Sequence, residues 1–203
     1  IGLSSANQLF DYSENFIIDD EEYHFRYGIY AGVFTELFES KYLSLVTDLA
    51  YNQKGMVDKD VINTLVSFDQ LDEYPQGYKS EKVSLDRRFD YLTISTNIKT
   101  RYEFKNLSTY LLTGIRYDFL INKNIEYLQS DSSLEKKGTR AFWEKYKGNL
   151  VGLSFGVGLE FKDMVYFPII IEWVYNYDIS KIRMNENLEI QNLSNELRIG
   201  IKF

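Results

Sequence analysis

"NLSNELRIGIKF" runs from Asn192 to Phe203. From Leu193 on, every odd position except Asn195 is apolar: Leu193, Leu197, Ile199, Ile201 and Phe203. The even positions are Ser194, Glu196, Arg198, Gly200 and Lys202. Successive side chains of a strand point to opposite sides, so this alternation marks a strand with one apolar and one polar face. Which of the two faces lies inside decides the fold.

The same period recurs from end to end, and no segment shows a helical one. It predicts eight strands, at about 1–10, 24–37, 42–53, 89–102, 107–120, 149–161, 165–178 and 193–203. In "YLSLVTDLAYN", Leu43, Leu45, Thr47, Leu49 and Tyr51 share one face, and Ser44, Asp48 and Asn52 the other. In "NLVGLSFGVGLEF", Val151, Leu153, Phe155, Val157, Leu159 and Phe161 oppose Gly152, Ser154, Gly156, Gly158 and Glu160. The connections alternate in length. The long ones are about 11–23, 54–88, 121–148 and 179–192, and the short ones about 38–41, 103–106 and 162–164. A chain weaving up and down gives this pattern when all its short turns are at one end. Outer-membrane barrels have that asymmetry, with tight periplasmic turns and longer extracellular loops.

Taken together, the polar faces gather Arg26, Glu36, Asp48, Lys99, Arg101, Arg116, Asp118, Glu160, Glu172, Asp178, Glu196, Arg198 and Lys202. A soluble sheet would have to turn such charges to water. The glycines point the other way. Gly28, Gly32, Gly114, Gly152, Gly156, Gly158 and Gly200 lie on the charged face, and a strand glycine commonly marks close approach. An eight-stranded barrel has room inside only for packed side chains, so small residues beside long charged ones would fill it. The expected lumen charge network comprises Arg26, Asp48, Lys99, Arg116, Glu172, Glu196 and Arg198.

The other face is aliphatic and aromatic. Along the seventh strand it reads Phe167, Ile169, Ile171, Trp173, Tyr175, Tyr177. Aromatic girdles around an apolar band are a membrane-barrel signature; here Phe161, Phe167, Trp173, Tyr175 and Tyr177 are the expected girdle. Each strand has roughly the 9–11 residues that a tilted transmembrane strand needs. The alternative is a soluble, ligand-binding β-barrel whose core is this face.

The totals fit. A length of 203 residues suits one barrel domain over 1–203. No run approaches the roughly 20 apolar residues of a membrane helix. A formal charge of −7 argues against nucleic acid, which needs a basic face. Zero cysteines exclude disulfides and thiolate metal sites. The chain opens on Ile1 without a basic leader, as expected of a mature form.

"YGIYAGVFTELFESKYLSLVTDLAYNQKG" resembles the second and third strands of the PorT-like outer-membrane β-barrel family common in Bacteroidetes. The matching residues are Tyr27, Gly28, Ala31 and Gly32, then Tyr51, Lys54 and Gly55. "FDYLTISTNIK" resembles the family's following strand, and "FGVGLEF", "EWVYNYDIS" and "LRIGIKF" its last three in order. "IGLSSANQLFDYSEN" departs from the family's Gly-rich first strand, and Pro168 falls inside the predicted seventh. The resemblance implies the outer membrane of a Gram-negative bacterium, with membrane lipid and lipopolysaccharide as surroundings. The terminal Phe203 resembles the signal read by the outer-membrane assembly machinery during insertion.

Catalytic candidates are few. His24 is the single histidine, which rules out a His-rich metal site and leaves one conceivable hydrolase triad. The run "DDEEY", with Asp19, Asp20, Glu21 and Glu22, lacks the ligand spacing of a calcium loop. "YKSEKVSLDRRFD" and "SSLEKKGTRAFWEKYKG" bring Lys and Arg to the outer rim, where lipopolysaccharide phosphates lie. The expectation is a non-enzymatic barrel without catalytic, metal or cofactor site, filled by its own side chains and presenting its long loops to a partner the sequence does not identify. The alternatives are a transport or protein-secretion accessory and an outer-membrane hydrolase.

Overall fold

A computed structural model describes residues 1–12, 23–59, 83–129, 148–162, 167–180, 182–185 and 188–202. Nine strands follow one another: β1 Gly2–Tyr12, β2 Tyr23–Leu37, β3 Leu43–Lys59, β4 Val83–Phe104, β5 Leu107–Gln129, β6 Leu150–Phe161, β7 Ile169–Asp178, β8 Ile182–Asn185 and β9 Leu188–Ile201. Each of β1 to β7 pairs antiparallel with the next, β7 pairs with β9, and β9 pairs back onto β1. Eight strands therefore close a barrel. Closure leaves no free edge within the wall, which a lipid environment demands of a sheet.

The alternation is realised face by face. Ser44, Asp48, Asn52, Asn97, Lys99, Arg116, Glu160, Glu196 and Arg198 are buried inward. Leu49, Ile94, Ile98, Leu111, Ile115, Val157, Ile171 and Leu197 are exposed outward. Leu45 and Leu153 are half-buried on that same outer wall. The charged face is inside because the apolar one meets lipid; the reverse arrangement would put the charged face in lipid.

Glycine at 158 follows from this narrowness. A Cβ there would sit 2.3 Å from Cζ of Tyr110, so the tyrosine ring occupies the space the glycine leaves. Gly55 is needed for its backbone. Its φ is +151°, and a Cβ would meet the Arg87 carbonyl oxygen at 1.8 Å.

Two irregularities of the barrel wall lie near the long-loop end, and a third interrupts the β8–β9 pair between Arg183 and Asn185. The β2–β3 register shifts between Phe25 and Tyr30. The β4–β5 register shifts at Asp90 and Tyr91, which pair with Asn122 and Leu120 and leave Ile121 as an extra residue. Such bulges re-aim side chains and sharpen strand twist.

Several boundaries differ from expectation. β3, β4 and β5 run well past the predicted strand ends, so the segments 54–88 and 121–148 are partly strand. The β4–β5 ladder continues to Val83 opposite Gln129, while the β5–β6 ladder stops at Asp118 opposite Leu150. On the far side, β1–β9 continues to Tyr12 opposite Leu188, while β1–β2 stops at Ala6 opposite Arg26. Above its rim the wall thus divides into two ribbons among the described residues. The predicted loop 179–192 contains β8, which folds back on β9. Pro168 lies outside the seventh strand, which starts at Ile169. Its missing N–H costs no ladder bond there, and its carbonyl accepts from the Lys202 amide at 3.0 Å.

Candidate functional site

Among the described residues the lumen gathers buried charge, and β-strand parity delivers that charge to three levels. Nearest the short turns, Lys99 Nζ lies 3.1 Å from Glu160 Oε2 and 3.4 Å from Glu36 Oε2. Arg101 pairs with Glu36, and with Glu39 at 2.5 Å. Lys202 Nζ closes the group at 2.8 Å from Glu36 and 2.9 Å from Glu39. The Lys99 ammonium also stands 4.1 Å from the centre of the Tyr110 ring.

At mid-height Arg198 is the hub. It donates to Glu196 from Nε at 2.9 Å, and its Nη1 lies 3.8 Å from Glu172 Oε2 and 3.9 Å from Asp48 Oδ2. Its guanidinium stacks 4.0 Å from the Tyr30 ring. Neutral donors surround the carboxylates. Tyr110 donates to Glu172 at 2.7 Å, Ser95 to Asp48 at 2.7 Å, and Asn52 to Glu196 at 2.7 Å.

Nearest the long loops, Asp118 sits between Lys54 Nζ at 2.5 Å and Arg116 Nε at 3.1 Å, and accepts from Thr93 at 2.6 Å. Arg116 also pairs with Asp178. Apolar side chains separate and cover these levels. Val46, Leu112 and Ile170 pack together with Tyr110 and Phe34. Met56, Phe89 and Leu150 are fully buried at inward positions toward the long-loop end. Every charge here has a counter-charge or several donors, the condition under which burial of ions is tolerated. The arrangement can hold opposite walls together.

The residues expected to share the lumen divide accordingly. Asp48, Glu172, Glu196 and Arg198 meet at mid-height. Lys99 belongs to the short-turn group and Arg116 to the long-loop group. Arg26 joins none of these; its Nε donates to Asp86 at 2.7 Å on the long-loop rim. Of the expected girdle, Phe167, Trp173 and Tyr177 are exposed, and Phe161 and Tyr175 half-buried. Trp173 lies midway along β7, opposite Val157 and Leu197, rather than at an end. His24 falls on β2, opposite Val57. Phe203, the acidic residues 19–22 and nearly all of "SSLEKKGTRAFWEKYKG" lie outside the described residues.

Sequence reading missed Lys54, placing it in a loop. Yet 48, 50, 52 and 54 are successive inward positions, and continuing that count past Asn52 would have found it. Tyr30 and Tyr110 were missed because an aromatic on the polar face gives no periodic signal of its own. No helix among the described residues is long and apolar enough to cross a membrane, and crossing here falls to strands.

A closed antiparallel barrel that is charged and filled inside, and apolar outside, is a transmembrane β-barrel. The chain belongs to the family described as outer membrane protein beta-barrel domain, whose model matches residues 1–183. Its place is the outer membrane of Gram-negative bacteria. No curated protein sequence matches the chain. Among solved structures it is similar to Ail, the attachment invasion locus protein of Yersinia pestis, crystallised with the heparin analogue sucrose octasulfate. The identity is 12% and the TM-score 0.33, covering 100% of this chain and 99% of that one. It is also similar to the outer membrane enzyme PagL, at 9% identity and a TM-score of 0.34, covering 97% and 98% of the two chains.

Proposed function

We propose that this protein is a non-conducting, non-enzymatic outer-membrane barrel of the PorT-like type, a rigid stem that presents its long-loop end to a partner outside the cell. The supporting observation is the three-level lumen: its charges are paired wall to wall, with apolar side chains between. Water-filled pores instead keep a polar lumen open. The two ribbons above the rim lift the long-loop end beyond the wall, where a partner could reach it. The order of the "YGIYAG", "YLTIST", "FGVGLEF" and "LRIGIKF" motifs supports the PorT-like assignment. Planar-bilayer recording tests the reading: the reconstituted protein should give no steady single-channel steps. Regular steps from the wild-type chain would replace the stem by a pore, and lipid hydrolysis lost on His24→Ala would replace it by an enzyme.

A further inference from the structure

On the outer wall, directly above the apolar band, the polarity changes abruptly. Leu92, Ile94 and Ile98 are the apolar outward residues of β4 within the band, all exposed, with Thr96 between the last two. The next outward positions toward the long loops are Asp90, Arg88 and Asp86. Arg87, Phe89 and Tyr91 between them are buried inward. Asp90 is only 5% exposed although it stands on the lipid-facing side. Four neighbours enclose it: Arg88 Nε donates at 3.0 Å, Gln53 Nε2 at 3.1 Å and Asn122 Nδ2 at 3.2 Å, and the Tyr51 side chain bonds it as well. Gln53 also donates to the Tyr51 hydroxyl at 2.8 Å. The two bulges produce this patch. One adds a residue to β2 opposite residues 53–55, and the other offsets Asn122 by the extra Ile121 so that it faces Asp90.

Asp90 takes the Nε–H of Arg88 and so fixes the guanidinium plane. The Arg88 side chain is 39% exposed and also bonds the Tyr51 side chain. A second arginine, on β2, is oriented by the aspartate two residues above Arg88. Arg26 donates to Asp86, and its Cδ lies 3.1 Å from the point a Gly55 Cβ would occupy. Any side chain at 55 would obstruct that approach. Arginines held by aspartates, with Tyr, Asn and Gln beside them, form a surface suited to a phosphorylated sugar, since a forked guanidinium matches phosphate and amides match hydroxyls.

We propose that this outer-wall patch, centred on Arg88, seats the phosphorylated sugar headgroup of an outer-leaflet glycolipid, lipopolysaccharide. Its height selects that occupant. A lipid whose acyl chains lie along Leu92, Ile94 and Leu49 places its headgroup at Asp90 and Arg88, and the long-loop end faces outward. The site depends on the membrane location and not on what the loops bind, so it stands or falls separately from the stem reading.

Native mass spectrometry of the full chain in detergent tests it, with three probes: lipopolysaccharide, the same lipid stripped of phosphate, and phosphatidylethanolamine. Wild type should retain the phosphorylated glycolipid. Arg88→Gln should weaken retention about tenfold, the scale of one charge-assisted contact. Arg88→Lys, which keeps the charge but not the fork, should fall between. Removing the phosphates should weaken wild-type binding as much as Arg88→Gln does. A mobility shift on boiling verifies that each variant is folded. Should Arg88→Gln not fold, the comparison of phosphorylated and stripped lipid on wild type decides. Equal retention by wild type and Arg88→Gln, equal retention of the two glycolipids, or phosphatidylethanolamine held as tightly as lipopolysaccharide would each overturn the site.

Discussion

Glu172 and Arg198 are direct cross-strand partners on β7 and β9, and Arg198 Nη1 lies 3.8 Å from Glu172 Oε2. The arginine is nevertheless held more tightly by Glu196, its neighbour two residues back, at 2.5 Å from Nη2. Asp48 approaches the same guanidinium from β3. One cation therefore serves three carboxylates at the centre of the barrel, which makes the pair asymmetric. Removing Arg198 leaves all three without their common cation, each keeping only neutral donors: Tyr110 for Glu172, Asn52 for Glu196, and Ser95 and Asn97 for Asp48.

Arg198→Met should therefore destabilise the barrel by about 3–5 kcal/mol, the range for orphaning buried charge. Glu172→Gln should cost less, because Arg198 retains two carboxylates. The pair should still couple, by about 0.5–3 kcal/mol in a double-mutant cycle. Urea unfolding in detergent, followed by the mobility difference between folded and unfolded chain, supplies the four stabilities. A coupling indistinguishable from zero would mean that the 3.8 Å approach carries no energy.

The upper group yields an ordering. Asp118 has two cations, so Lys54→Met leaves it with Arg116 and the Thr93 hydroxyl. Asp118→Ala strips Lys54 of its carboxylate while Lys54 stays fully buried. Asp118→Ala should cost about 3–5 kcal/mol and Lys54→Met clearly less, since only the first leaves a charge without a counter-charge. The same unfolding assay decides, and a reversed order would show that Lys54 reaches water when its partner is gone.

What was legible follows from where the apolar face ends. Within the membrane band each strand has one face in lipid and one in the lumen, so alternation is strong and strands, parity and charged interior could all be read. Above the rim both faces of β3, β4 and β5 leave the lipid. The pattern fades there although the hydrogen-bonded ladder continues, so Asp86, Arg88 and Lys123 read as loop. Bulges are invisible until two strands are registered, which is why the placing of Asn122 opposite Asp90 could not be foreseen. The β8 hairpin did leave a trace: Ile182 and Met184, then Leu188 and Ile190, alternate around the polar Asn185, Glu186 and Asn187. Parity found Asp48, Lys99, Arg116, Glu172, Glu196 and Arg198 but misplaced Arg26 and passed over Lys54, Tyr30 and Tyr110, and the division into three levels depends on strand stagger, which sequence does not contain.

Gly158 and Tyr110 offer a steric test. Adding a methyl group at 158 pushes on the Tyr110 ring, which would have to move and draw its hydroxyl from Glu172. Gly158→Ala should therefore cost about 1–3 kcal/mol, the usual range for overpacking. Combining it with Tyr110→Ala should cost less than the sum of the two single changes, because the obstructing ring is gone. Strict additivity in the unfolding assay would place the Tyr110 ring elsewhere.

Facing itself can be measured residue by residue, and the composition makes this simple. The chain has no cysteine, so each introduced thiol is unique. Leu111 is 60% exposed on the outer wall and its neighbour Leu112 is 5% exposed inside. A nitroxide attached to Leu111→Cys should be broadened by oxygen, which concentrates in the acyl region, and should ignore a water-soluble nickel chelate. A label on Leu112→Cys should be shielded from both, and the bulky group should weaken folding because Val46, Ile170 and Tyr110 already fill that space. Charge gives the complementary result. Leu111→Arg should cost about 2–4 kcal/mol if it meets lipid near the midplane. The same arginine at Thr109, an outward position closer to the short turns, should cost less, because the penalty falls toward the interface. If both arginines were tolerated equally, the outer wall would be facing water, and the membrane assignment of the apolar face would be wrong.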